Sequence, residues 1–234
     1  MTIIYVYCNG NSNVGLGHFF RCFYLCKALK TANINNKITF IGDFSSIPAQ
    51  KLKENDFPTI PLSNLEAETI AHIAKNADAL IIDSYQINQK FVDHLDRKPF
   101  TTIYFDDFSI LNFSKAGIVI NFRVGAEKLF QYHSKAELKG AKYFPVSQKL
   151  QNLRHQKLLK QPHPIRNILI CMGGADLYGI GKLVSLTLAQ CFKQAHIKLL
   201  TNKDIFKTTP LSTSGNIEIL PLTQKISDFF NESD

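Results

Sequence analysis

Short apolar runs return along this chain at intervals filled by helix-patterned segments, and that alternation constrains the fold more than any other feature. "IIYVYC" (3–8), "KITFI" (37–41), "ADALIID" (77–83), "TTIYF" (101–105) and "GIVIN" (117–121) are rich in β-branched and aromatic residues and lack a regular polar alternation. A strand that is apolar on both sides has to be covered on both faces, which is the situation of a strand inside a parallel sheet. Between the runs, Phe19, Cys22, Phe23, Cys26 and Leu29 recur at helical spacing, and residues 65–75 and 88–95 are further helix candidates. Strands that alternate with helices predict a doubly wound α/β domain.

The pattern then restarts. A basic stretch at 147–160 reads as a helix, and "QPHPIRN" (161–167), with two prolines among polar residues, reads as a linker. "NILICMGGAD" (167–176) is a strand running into a glycine turn, 180–193 has helical spacing, "HIKLL" (196–200) and "IEIL" (217–220) are strands, and a last helical pattern starts at Thr223. The expected organisation is a Rossmann-like domain over 1–160, a linker at 161–166 and a second, partial Rossmann-like domain over 167–234. Three strands with few helices leave apolar faces open, so the second unit is expected to be poorly packed or completed by another chain, with self-association through it.

Composition sets the class. With 45% hydrophobic and 20% charged residues the chain is globular rather than disordered. No run of eighteen apolar residues occurs, and "MTIIYVYCNG" lacks the features of a secretory signal, so the reading is cytoplasmic with no membrane insertion. Five cysteines without a CxxC pair read as reduced, buried thiols, and no structural zinc is expected. The net charge of +8 is concentrated between Arg123 and Arg166, where ten basic residues face only Glu127 and Glu137. That run is either a solvated surface or an attraction for an anionic ligand. It holds no nucleic-acid motif and few aromatics for base stacking, so no nucleic-acid partner is expected.

Chemistry concentrates after the first strand, in "NGNSNVGLGH" (9–18). Ligands of open α/β sheets bind beyond the carboxyl ends of the strands, where this loop lies. Gly15 and Gly17 let the backbone come close to a ligand, and free N–H groups at a helix start favour negative charge. His18 stands at that helix start with Arg21 one turn on. Neutral imidazole suits proton abstraction from water. The plainer readings are a turn residue for His18 and a surface ion pair for Arg21.

"GLGHFFRC" (15–22), "LIIDSY" (80–85), "YFDD" (104–107), "VIN" (119–121) and "ICMGGAD" (170–176) resemble, in order and spacing, the motifs of the UDP-2,4-diacetamido-2,4,6-trideoxy-β-L-altropyranose hydrolases of pseudaminic acid biosynthesis. The resemblance spans nearly the whole chain. It implies an α/β, GT-B-like fold of two Rossmann-like domains, the second incomplete, and a metal-independent hydrolysis, without cofactor, in which water attacks the anomeric carbon of a UDP-sugar. His18 matches the family's catalytic base and Tyr85 the tyrosine beside the sugar, and these two are the expected catalytic residues. Gly173 and Gly174 match the glycine loop that approaches the diphosphate. Gly15, Gly17, Arg21, Asp83 and Asp107 complete the expected substrate-binding set.

Other roles stay open for several of these residues. Asp83 can cap a loop, and Tyr85 can pack its ring with a satisfied hydroxyl. Asp106 and Asp107 are neighbours in an extended chain and point apart, so they are not expected to act as an acid–base pair. Asp176 reads as a helix cap, and His72, His94, His133, His155, His163 and His196 have no metal-ligand spacing. Two departures stand out: the family's second domain continues past the equivalent of Asp234, with a glutamate that holds the nucleotide, and Ser147 replaces a customary arginine. A GT-B-type glycosyltransferase and a silent nucleotide-sugar-binding protein are the alternatives, because fold does not fix reaction.

Overall fold

The computed structural model describes residues 1–64, 66–158, 163–173, 176, 179–201, 215–221 and 226–234. It forms two compact units, Met1–Val146 and Ser147–Asp234.

The first unit is built on a seven-stranded sheet of β1 (Ile3–Cys8), β2 (Lys37–Gly42), β3 (Thr59–Pro61), β4 (Ala79–Asp83), β5 (Thr101–Phe105), β6 (Ile118–Asn121) and β7 (Ala136–Lys139). The strand order is β3-β2-β1-β4-β5-β6-β7, and every pairing is parallel. The winding reverses between β1 and β4. In such a sheet the crevice at the reversal, beyond the carboxyl ends of the strands, is where ligands bind.

Alternate strand residues face opposite sides, so each apolar strand feeds two cores. Val6, Cys8, Phe40, Ile81 and Phe105 join Phe19, Cys22, Phe23 and Cys26 of α1 (Gly17–Ala32). Tyr7, Leu80, Ile82 and Tyr104 face the other way, against Ile70 of α3 (Ala67–Ile73) and Phe91, Val92 and Leu95 of α4 (Gln89–Leu95). Helix α4 starts where the Asn88 side chain accepts from the Phe91 backbone N–H at 3.0 Å. The predicted strands and helices of this unit are all present. Five elements were not foreseen: β3, β7, α2 (Ser46–Glu54), the single turn α5 (Ala126–Leu129) and a 3-10 turn at Ala141–Tyr143. The two strands are edge strands of three and four residues, too short to give a periodic signal.

The second unit has a parallel sheet ordered β10-β9-β8, from β8 (Asn167–Cys171), β9 (His196–Thr201) and β10 (Ile217–Pro221). Ile170, Ala189, Ile197 and Leu199 form its core under α7 (Ile180–Cys191). The sequence reading placed the 147–160 helix ahead of the linker, but α6 (Gln148–Leu158) groups with this unit. The reason lies in its partners on α8 (Ile226–Glu232) and just beyond: Lys149 pairs with Asp228 at 2.5 Å, and Lys157 donates to the Ser233 carbonyl. Asp234 closes the unit by accepting from the backbone N–H groups of Arg166 and Asn167 at 2.6 and 2.8 Å.

Candidate active site

The loop from β1 to α1 is shaped by Asn11, whose side-chain oxygen accepts from the backbone N–H groups of Asn13 and Val14 and whose carbonyl accepts from Gly15. Gly15 has φ +77°, the left-handed region that favours glycine. A Cβ at Gly15 or Gly17 would meet no atom within 4 Å, so both lie against open space. Helix α1 has no side-chain cap, which leaves its first N–H groups without a side-chain acceptor.

His18 and Arg21 are three residues apart on the first turn of α1, so their side chains rise together. Asp83 ends β4 and stands opposite Cys8 in the register, where β1 gives way to the loop that leads into α1. Asp83 is completely buried; His18 is 7% and Arg21 8% exposed. The Asp83 carboxylate accepts from His18 Nδ1 at 2.6 Å, and Arg21 engages both its oxygens through Nε and Nη2. Arg21 Nη1 reaches Asp107 Oδ2 at 2.8 Å, and the Tyr85 hydroxyl donates to the same oxygen. A carboxylate held by a guanidinium is ionised and can only accept, so the proton between Asp83 and His18 sits on Nδ1. The lone pair of the neutral ring is then on Nε2.

Nε2 has no hydrogen-bond partner among the described residues, and the ring lines a cleft of about 260 Å³ with Asn9, Asn13, Val14, Ser84, Tyr85 and Gln86. The Tyr85 ring meets the His18 ring edge-on at 4.4 Å between centroids, and Tyr85 is 58% exposed. Burial first, then the hydrogen bond to Asp107, pushes the Tyr85 phenol up to about 12. Burial alone would lower the Arg21 guanidinium, but hydrogen bonds and charge from Asp83 and Asp107 raise it above its ordinary value. Its planar face lies 5.2 Å from the Phe105 and 5.1 Å from the Phe122 ring centroid.

Asp106 and Asp107 diverge as expected. Asp106 Oδ2 accepts from the Tyr132 hydroxyl at 2.7 Å and from the Ser109 backbone N–H at 2.6 Å, while Asp107 turns to Arg21 and Tyr85. The sequence reading set Arg21, Asp83 and Asp107 against the substrate. The structure turns their charged ends on one another, because a buried charge has to find a partner. In the second unit Gly173 has φ +80° and nothing within 4 Å of a Cβ position, Gly174 lies outside the described residues, and Asp176 Oδ2 accepts from the Gly181 backbone N–H at 3.0 Å at the start of α7.

Several members were missed from sequence. Cys22 places its thiol 3.6 Å from Asp83 Oδ2, and burial raises that thiol well above its usual range. Arg123, at the end of β6, donates from Nη1 to the Asp107 carbonyl at 2.8 Å. The signal available for Arg21 was its position within the apolar stripe of α1, since a charge on a buried face implies a partner. Another histidine, His94, lines a hollow of about 370 Å³ with Nδ1 3.3 Å from Glu68. That hollow borders the residues leading into β4 and β5, at the amino ends of the strands, and Glu68 is exposed. Among the described residues no group of three His, Cys, Asp or Glu side chains is arranged to hold a metal ion.

Fold and site define an α/β protein of GT-B-like architecture with a carboxylate-held histidine at the point where the sheet winding reverses. The structure is similar to MurG of Acinetobacter baumannii at TM-score 0.57 and 11% identity, covering 100% of this chain and 71% of that one. It is also similar to S. aureus MnaA solved with UDP (TM-score 0.56, 13% identity, 99% and 71% of the two chains) and to the UDP-GlcNAc 2-epimerase of Neisseria meningitidis bound to UDP-GlcNAc (0.51, 10%, 99% and 74%). In sequence the chain is 28% identical over 176 residues to an uncharacterized protein of Methanocaldococcus jannaschii, covering 72% of this chain and 36% of that relative. The chain thus spans about a third of the length of the curated relative it matches. No family model matches the sequence.

Proposed function

We propose that this chain acts on a nucleotide-linked sugar, and that it hydrolyses a UDP-linked diacetamido-trideoxy sugar with His18 as general base. The observation that carries the reading is the His18 ring, bound through Nδ1 to buried Asp83 and lining a cleft at the carboxyl ends of the strands, with no hydrogen bond to Nε2 among the described residues. The motif resemblance supports the substrate class, as does the fold likeness to structures solved with UDP and UDP-GlcNAc.

In this mechanism Nε2 takes a proton from water as the water oxygen bonds to the anomeric carbon. The bond from that carbon to the diphosphate oxygen breaks, and UDP leaves with the electron pair. Asp83, ion-paired with Arg21, faces the imidazolium as it forms and stabilises it. The hydroxyl of Tyr85 is committed to Asp107, so its ring rather than its proton is offered to the sugar. Gly15 and Gly17 leave room for a ligand to approach the backbone at the uncapped start of α1.

Turnover of the UDP-sugar in ¹⁸O-water tests the proposal. The label is expected on the sugar C1 hydroxyl and absent from UDP, and His18→Gln is expected to lower turnover by about 100-fold or more while UDP still binds. Label on the phosphate, or unchanged turnover in the variant, overturns the mechanism. UDP release that requires an acceptor sugar identifies a transferase instead, and binding without turnover in either case identifies a binding protein.

A further inference from the structure

Arg123 is a charged residue bonded to the site that the mechanism leaves unused. It follows β6, whose carboxyl end lies on the same sheet edge as those of β1, β4 and β5. At about 4.8 Å per strand, β6 is roughly 10 Å from β4, which ends in Asp83. The side chain is fixed although exposed: Nη1 donates to the Asp107 carbonyl at 2.8 Å, and the guanidinium lies over the Phe130 ring at 5.6 Å. Its backbone N–H donates to the buried Asn121 side chain at 3.1 Å.

Three neighbouring acidic residues are engaged elsewhere, while Asp107 Oδ1 stays without a hydrogen bond and exposed Glu127, four residues on, forms no ion pair with Arg123. Asp107 holds Arg21 and Tyr85, Asp106 holds Tyr132 and the Ser109 backbone, and Glu137 pairs with Lys139 at 2.8 Å. Arg123 has no ion-pair partner among the described residues. A guanidinium held in one orientation with donors left over and no counter-charge is suited to bidentate recognition of an oxyanion. Asp107 ties it to the site, since one residue bonds Arg123 through its carbonyl and Arg21 and Tyr85 through its carboxylate.

We propose that Arg123 binds a phosphate group of the nucleotide substrate, an assignment that rests on the nucleotide-sugar reading above. The test is calorimetric titration of the full chain with UDP, uridine and inorganic pyrophosphate, in wild type and in Arg123→Gln and Arg123→Lys. Arg123→Gln is expected to weaken UDP roughly tenfold or more, the worth of one charge-assisted pair, and to leave uridine unchanged. Arg123→Lys should recover part of the loss. Because the side chain is exposed and makes one hydrogen bond, both variants should unfold within about 2–4 °C of wild type. Pyrophosphate binding that depends on Arg123 without any UDP binding upholds the anion site and sinks the nucleotide-sugar reading. UDP and pyrophosphate that bind equally well to Arg123→Gln, or that fail to bind the wild-type chain, overturn the proposal.

Discussion

Asp83→Asn keeps the shape of a fully buried side chain and removes its charge, which makes it the sharpest probe of the site. In the wild type Oδ1 receives His18 Nδ1 and Arg21 Nη2, while Oδ2 receives Arg21 Nε. An amide has only one acceptor oxygen, so either orientation sets an N–H of the asparagine against an N–H of Arg21. The orientation that satisfies Nε points the amide nitrogen at His18 Nδ1. That nitrogen must then accept, the ring proton moves to Nε2, and the base faces water with the wrong tautomer. Loss of both tautomer control and imidazolium stabilisation predicts a fall in turnover of about 10²–10⁴.

Stability responds separately. Removing one partner of a buried pair costs about 3–5 kcal/mol. The lower end applies here, because Arg21 keeps Asp107 at 2.8 Å and the faces of Phe105 and Phe122. At roughly 2–4 °C per kcal/mol for a unit of this size, a loss of about 3 kcal/mol lowers the melting temperature by about 6–12 °C. The assays are steady-state UDP release and thermal unfolding by circular dichroism, run below the variant's transition. A double variant with His18→Gln adds the decisive comparison. If Asp83 acts through His18, the double variant turns over no more slowly than His18→Gln alone. Fully additive losses, or an Asp83→Asn turnover within threefold of wild type, would refute the coupling.

Further outcomes follow from single contacts. Tyr85 has its phenol raised to about 12 in the folded chain against about 10 in a free chain, so between those values the unfolded state loses the proton that the folded state keeps. The tyrosine therefore contributes stability that is complete below pH 10 and lost as pH rises to 12. Melting temperatures of Tyr85→Phe should fall less than wild type over that window, and a spectrophotometric phenol titration should lose one group near pH 12. Gly15→Ala places a Cβ at φ +77° with no steric neighbour, so only backbone strain is felt. The expected loss is about 1 kcal/mol, read from denaturant midpoints, and a variant as stable as wild type would show that the loop relaxes.

The architecture was legible because two-sided burial writes itself into a strand: Ile3–Cys8 and Ala79–Asp83 carry near-continuous apolar runs, and the tertiary structure needs them so. Edge strands escaped for the opposite reason. Ala136–Lys139 alternates apolar and charged residues over four positions only and is held by one neighbour, too short a run for its period to mark it. His18 and Tyr85 were singled out from motif and position. What sequence could not supply is that the ring edge of one meets the other, since β1 and β4 are adjacent only through a crossover that spans more than sixty residues.

Arg21 shows where local reading fails and why. A helix that lays Phe19, Cys22, Phe23 and Cys26 on a core has little tolerance for a guanidinium on the same side, and an isolated charge there would cost several kcal/mol. The sequence therefore implies that an acid comes from elsewhere in the chain, but not which one. Asp83 and Asp107 are both required, because each end of the guanidinium fork takes a different carboxylate, and they sit at the ends of adjacent parallel strands, about 4.8 Å apart. Strand spacing thus brings both carboxylates within reach of one guanidinium, a match between the sheet and the span of a hydrogen-bonded side chain. The same match places one carboxylate under the imidazole and the other under the tyrosine, so the residues that neutralise Arg21 also orient the two rings lining the cleft.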